Sequence, residues 1–158
     1  MKRNVFYSFQ FDKDVMRVQQ IRKMGVIDGD EPVSPNRWEE IRRTDEGVKR
    51  WITENLQRKT CLVVLIGEKT AASKWVRFEI MKAWELGIPV VGVRIHNLRC
   101  PNAGLGVYGL NPFSSITLKR ANGTVYTPKV YDPSAHDAYG TIKANLAGWI
   151  ETAIRECA

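Results

Sequence analysis

A chain of 158 residues, 44% hydrophobic and 26% charged, has the size and make-up of one globular domain with a full core, which excludes disordered, collagen-like and coiled-coil chains. Its net charge of +7 admits nucleic acid, acidic lipid or a phosphate-bearing small molecule as partner and selects none of them. No apolar run reaches the roughly 18 residues of a membrane span, and the apolar stretch near Met1 is too short for a signal peptide.

The predicted elements alternate along the chain. Val5 to Phe9 is a short β-rich run, followed by a helix through Met24 that Asp12 or Asp14 would cap, with Val15, Val18 and Ile21 on one stripe. Gly25 to Pro35 is rich in Gly, Pro and Asp and reads as loop. Trp38 to about Lys59 reads as helix, interrupted near Thr44, with Ile41, Val48, Trp51, Ile52 and Leu56 as its buried face. Cys61 to Ile66 is a continuous apolar run ended by Gly67, the pattern of a strand covered on both faces of a parallel sheet. Ser73 to Leu86 is the next helix, stopped by Gly87 and Pro89, and Ile88 to Ile95 is a second buried strand. Residues 97–131 form a long loop containing a hairpin turned at Asn122-Gly123 and an extra strand at Lys129–Tyr131. A helix from His136 to Cys157 closes the chain. The order predicts a single α/β domain, a doubly wound, mostly parallel flavodoxin-like sheet with helices on both faces and a small hairpin insertion before the last helix.

Several chemistries find no footing. Cys61, Cys100 and Cys157 are odd in number and widely spaced, and only His96 and His136 accompany them, which argues against a metal site and fits reduced thiols in a cytoplasmic protein. Arg42-Arg43, Lys49-Arg50 and Arg58-Lys59 alternate with acidic residues, the pattern of a solvated helix face rather than a nucleic-acid groove. Gly104-Leu105-Gly106-Val107-Tyr108-Gly109 matches a dinucleotide fingerprint in letters, but Leu110-Asn111-Pro112 follows where a helix should open. A phosphoacceptor domain would need an aspartate after the central strand, where Gly67-Glu68 stands.

The informative stretch is Ser73-Lys74-Trp75-Val76-Arg77-Phe78-Glu79-Ile80. Trp75 and Glu79 lie one turn apart on one helix face, beside the apolar stripe, so Glu79 is expected at a partly shielded boundary. The helix follows a central strand, and ligands of open α/β sheets gather at the carboxyl ends of the strands. A surface glutamate pairing with Lys74 or Lys82 is the plain alternative.

Ser73-x-Trp75-x-x-x-Glu79 resembles the helix motif of TIR domains that cleave NAD+, and Val5 to Phe9 resembles their first strand. The wider pattern is similar to the TIR-like proteins of the bacterial Thoeris antiphage system. It comprises Val5 to Phe11, Arg17-Val18-x-x-Ile21-Arg22, Trp38-Glu39, Ile52, Val64 to Gly67, Thr70, Lys74 to Lys82 and Gly109-x-Asn111-Pro112-Phe113, over residues 4–113. The resemblance implies an NAD+ nucleosidase or ADP-ribosyl cyclase with Glu79 as catalytic residue. It implies NAD+ as substrate with no further cofactor, and a cyclic or derivatised ADP-ribose messenger. That messenger would be made after a phage trigger and read by a separate effector protein. TIR sites are commonly completed by a neighbouring chain, which makes a homo-oligomer plausible.

The chemistry suits one carboxylate. Nicotinamide leaves the ribose as a neutral ring and needs no general acid, so the site must chiefly stabilise an oxocarbenium-like sugar. Phe6, Ser8, Phe9, Trp38, Asp45 and Trp75 are the candidates for ring stacking and for ribose or phosphate contacts. The chain departs from the resembled pattern at Val76, where TIR enzymes often have Cys, and at Gln10, where these relatives usually have His. The segment Gly25 to Asn36 is expected to lack the second strand of animal and plant TIR domains. Two further readings stand beside the first: a non-catalytic TIR-like scaffold binding a nucleotide or protein, and a nucleoside deoxyribosyltransferase-like enzyme with a covalent glutamate.

Overall fold

The computed structural model describes residues 3–29, 40–100 and 104–157. Its centre is the apolar run, now strand β3 (Cys61–Ile66), buried along its whole length. Such a strand needs cover on both faces and hydrogen-bonded neighbours on both sides. The neighbours are β1 (Asn4–Ser8), in register from Val5↔Cys61 to Ser8↔Val64, and β4 (Val90–Arg94), from Leu62↔Val90 to Ile66↔Arg94. A two-residue strand β2 (Asp28–Gly29) pairs with β1 at one edge, and β7 (Val130–Tyr131) pairs with β4 at the other. All four pairings are parallel, in the order β2-β1-β3-β4-β7. This is the flavodoxin-like arrangement, with its switch point between β1 and β3.

The helices divide by the alternation of the strands. Val5, Tyr7, Cys61, Val63, Leu65, Val91 and Val93 face α1 (Phe11–Lys23) and the last helix, α4 (Ala138–Cys157). Phe6, Leu62, Val64, Ile66 and Val90 face α2 (Asp45–Leu56) and α3 (Lys74–Glu85). Among the described residues no α-helix connects β4 to β7. A 3₁₀ turn at Pro112–Ser115 and the hairpin β5 (Leu118–Lys119) and β6 (Val125–Tyr126) fill that place, with Phe113 and Leu118 joining the α2/α3 side of the core.

Two expectations are corrected. The loop assigned to Gly25–Pro35, and the missing second strand, overlook β2, which pairs through Asn4↔Asp28 and Val5↔Gly29. An edge strand of two residues is held by backbone hydrogen bonds to β1 and needs no β-forming side chains. At α1 neither Asp12 nor Asp14 is the cap. The Gln10 side chain accepts from the Lys13 amide at 2.8 Å, and Asp14 is buried. The interruption near Thr44 is present: residues 40–41 are helical, and after a turn α2 starts afresh with the Thr44 hydroxyl accepting from the Gly47 amide. No helix among the described residues is long and apolar enough to cross a membrane.

Candidate active site

Period-two alternation puts Ser8, the last residue of β1, on the same face as Phe6, looking toward α3. The start of α3 is set by Ser73, whose hydroxyl accepts from the Val76 amide. Two turns in, Glu79 is therefore brought under the carboxyl end of β1. The Ser8 hydroxyl donates to Glu79 Oε1 at 2.7 Å, and both side chains are buried. Glu79 is 7% exposed, more deeply placed than the boundary position expected from the helical wheel. The lysines available for a surface pair are engaged elsewhere, Lys74 with Asp45 and Lys82 with Glu85.

Burial without a cation sets the electrostatics of Glu79. Its carboxyl is pushed up to about 8 by desolvation, and the hydrogen bond from Ser8 pulls the other way. At neutral pH the carboxyl is held mostly as the neutral acid, a state found at sites of function more often than in plain cores.

The remaining candidates fall in three places. Phe6 is buried beneath this pair, edge-on to Trp51 at 6.1 Å. Asp45, Lys74 and Trp75 form a chain along the rim: Lys74 Nζ lies 3.2 Å from Asp45 Oδ1 and 4.6 Å above the Trp75 ring, which stands edge-on to Phe78. Phe9 packs half-buried on the opposite face, stacked on Phe11. Trp38 lies outside the described residues.

Two features at the carboxyl ends of the strands were not among the candidates. Asp14, 3% exposed, lies against Gly67 at the end of β3, so close that a Cβ on residue 67 would collide with its carboxylate. Its first oxygen meets Arg17 Nη1 at 3.5 Å, while Arg17 donates to the Leu98 and Gly104 carbonyls. Opposite, the segment 104–113 straps the ends of β3 and β4. Arg94 donates to the Gly109 carbonyl at 2.7 Å beneath the Tyr108 ring, and Gly109 packs directly on the carbonyls of Gly67 and Glu68. Gly104 turns the chain at φ +68°, Gly106 lies against the Arg17 guanidinium and the His96 backbone, and Gly109 against backbone carbonyls, so this G-x-G-x-x-G serves contacts within the protein and opens no phosphate helix. The one cue available in the sequence was Gly67, directly after the predicted strand Cys61–Ile66. Among the described residues no group of three or more His, Cys, Asp or Glu side chains is arranged to hold a metal ion.

Comparison with known proteins agrees with this fold. The family model for the Thoeris protein ThsB, TIR-like domain, matches residues 6–100. A protein of Bacillus cereus (strain MSX-D12) named "Putative cyclic ADP-D-ribose synthase ThsB1" is 32% identical over 120 residues, covering 72% of this chain. The match spans 62% of that relative's length.

Proposed function

The chain belongs to the TIR-like family of the Thoeris protein ThsB, and we propose that it cleaves the bond between nicotinamide and ribose in NAD+ and converts the rest into a cyclic or derivatised ADP-ribose. The observation that carries this reading is the Glu79–Ser8 pair, a buried carboxyl at the switch point of the sheet with one hydrogen bond and, among the described residues, no cation beside it. A purely structural residue there would be apolar. A buried carboxyl without a cation makes sense where a cation arrives with the ligand.

NAD+ brings that cation in its pyridinium ring. A positive charge near Glu79 favours the ionised carboxylate, so binding is coupled to loss of the Glu79 proton. The carboxylate then faces a ribose whose anomeric carbon gains positive charge as the glycosidic C–N bond breaks. The bonding pair leaves with nicotinamide, whose ring becomes neutral. The charge that Glu79 stabilises thus moves from the ring to the sugar during the reaction, and a low-dielectric site makes the interaction stronger than in water. Ser8 holds Oε1 in place throughout. Shielding from water favours capture of the sugar by another group of the same molecule, which gives a cyclic product, over hydrolysis. The product acts as a messenger read by a separate effector protein after phage infection.

Liquid chromatography with mass spectrometry of NAD+ incubated with purified wild type and Glu79→Gln, and of cells expressing each before and after infection, tests the reading. Nicotinamide release with a new ADP-ribose species in wild type alone is expected. No NAD+-derived product from wild type under either condition would leave a scaffold. A glutamate-linked sugar adduct would instead favour the transferase chemistry.

A further inference from the structure

The acid on α1 is only partly used by the fold: one of its oxygens serves a buried ion pair with Arg17 and the other serves nothing. The helix is capped by Gln10, so Asp14 is free of that duty. Its Oδ1 has one long contact to Arg17, whose closer hydrogen bonds go to backbone carbonyls at 2.8 and 3.0 Å. Its Oδ2 is buried with no hydrogen-bond partner. A buried, unpaired carboxylate oxygen opposes folding, and an amide or apolar residue of the same shape would serve packing better. The carboxylate lies on Gly67, at the carboxyl end of β3, one strand from the end of β1 where Ser8 and Glu79 meet.

The surroundings define what could use that oxygen. In many doubly wound proteins a phosphate sits on the first helix N-terminus. Here that terminus holds Asp12 and Asp14, its Lys13 amide is taken by Gln10, and the neighbouring Lys13 side chain pairs with Glu68 at 3.4 Å. An acidic rim of this kind repels phosphate and accepts hydrogen-bond donors. We propose that Asp14 is a second substrate-binding carboxylate of the site, its open oxygen accepting a hydrogen bond from a sugar hydroxyl of the bound dinucleotide. This rests on the NAD+ reading above.

The test titrates NAD+ by calorimetry into Glu79→Gln, with and without Asp14→Asn, and repeats both titrations with NAD+ analogues lacking one hydroxyl of the nicotinamide ribose. Asparagine keeps the shape and removes the charge. The expected result is affinity weakened by about ten-fold or more in the Asn variant, the scale of a lost hydrogen bond to a charged group. Deleting the contacted hydroxyl should then cost little further. Asp14→Asn also removes the buried partner of Arg17, so affinities are compared in protein shown to be folded by circular dichroism. Unchanged affinity, or equal hydroxyl penalties in both proteins, would overturn the role of Asp14. Wild type that neither binds nor consumes NAD+ would overturn the dinucleotide reading, and this one with it.

Discussion

Replacing Glu79 with glutamine should stabilise the protein, and by more as the pH rises. The unfolded chain loses the Glu79 proton near 4.5, while the folded protein holds it to about 8. Between those values the folded state binds the extra proton, so wild-type stability falls as pH rises, at about 1.4 kcal/mol per pH unit for this group alone. Below 4.5 both states are protonated and the penalty vanishes; above about 8 both are ionised and it is complete, at about 5 kcal/mol. Glutamine keeps the hydrogen bond from Ser8 and carries no proton to lose. The stability difference between variant and wild type should therefore widen by about 3–4 kcal/mol from pH 5 to pH 8. Taking the difference at each pH cancels every other titrating group, including Asp14, whose burial moves it in the same direction. Urea unfolding followed by tryptophan fluorescence measures it, and thermal melting should show the same trend at roughly 2–4 °C per kcal/mol. A difference that stays flat across this range, or that favours wild type as pH rises, would refute the placement of Glu79 as a buried carboxyl without a cation.

Other changes have smaller or opposite effects. If NAD+ turnover is observed, kcat/KM should rise with pH along a limb set by Glu79, near 8, and Ser8→Ala should move that limb upward, because the lost hydrogen bond favours the ionised form. Gly109→Ala should lower stability by about 2 kcal/mol or more, since its Cβ would fall on the backbone carbonyls of Gly67 and Glu68; chemical denaturation tests this. Lys74→Gln should change stability by less than about 0.5 kcal/mol, because the Lys74–Asp45 pair is 65% and 66% exposed.

How much of this was legible beforehand depended on the range of the interactions. Cys61–Ile66 declared itself a central strand because burial on both faces leaves no polar alternation to disguise it. Helix α3 could be bounded because Ser73 and Gly87 act locally, one as cap and the other at φ +77°. The hairpin turn likewise rests on Gly123 at φ +87°. Strand β2 left no trace, since its two residues are selected by the free edge of β1 and not by their own propensities.

The site follows the same rule in a sharper form. The face of α3 that carries Glu79 was readable from helical spacing, but its depth was not, because burial is decided by Ser8, 71 residues earlier. Asp14 looked like a cap because short acids at a helix start usually are, and only Gly67 reveals that this one points inward. Both acids sit in a chain of net charge +7, so the overall charge described the solvated surface and concealed two buried carboxyls. The proposed receipt of a cationic ring and a sugar gives a reason for this arrangement. The two carboxyls are held out of water with few partners, at a cost to stability, and on that proposal a ligand would supply the partners the fold withholds.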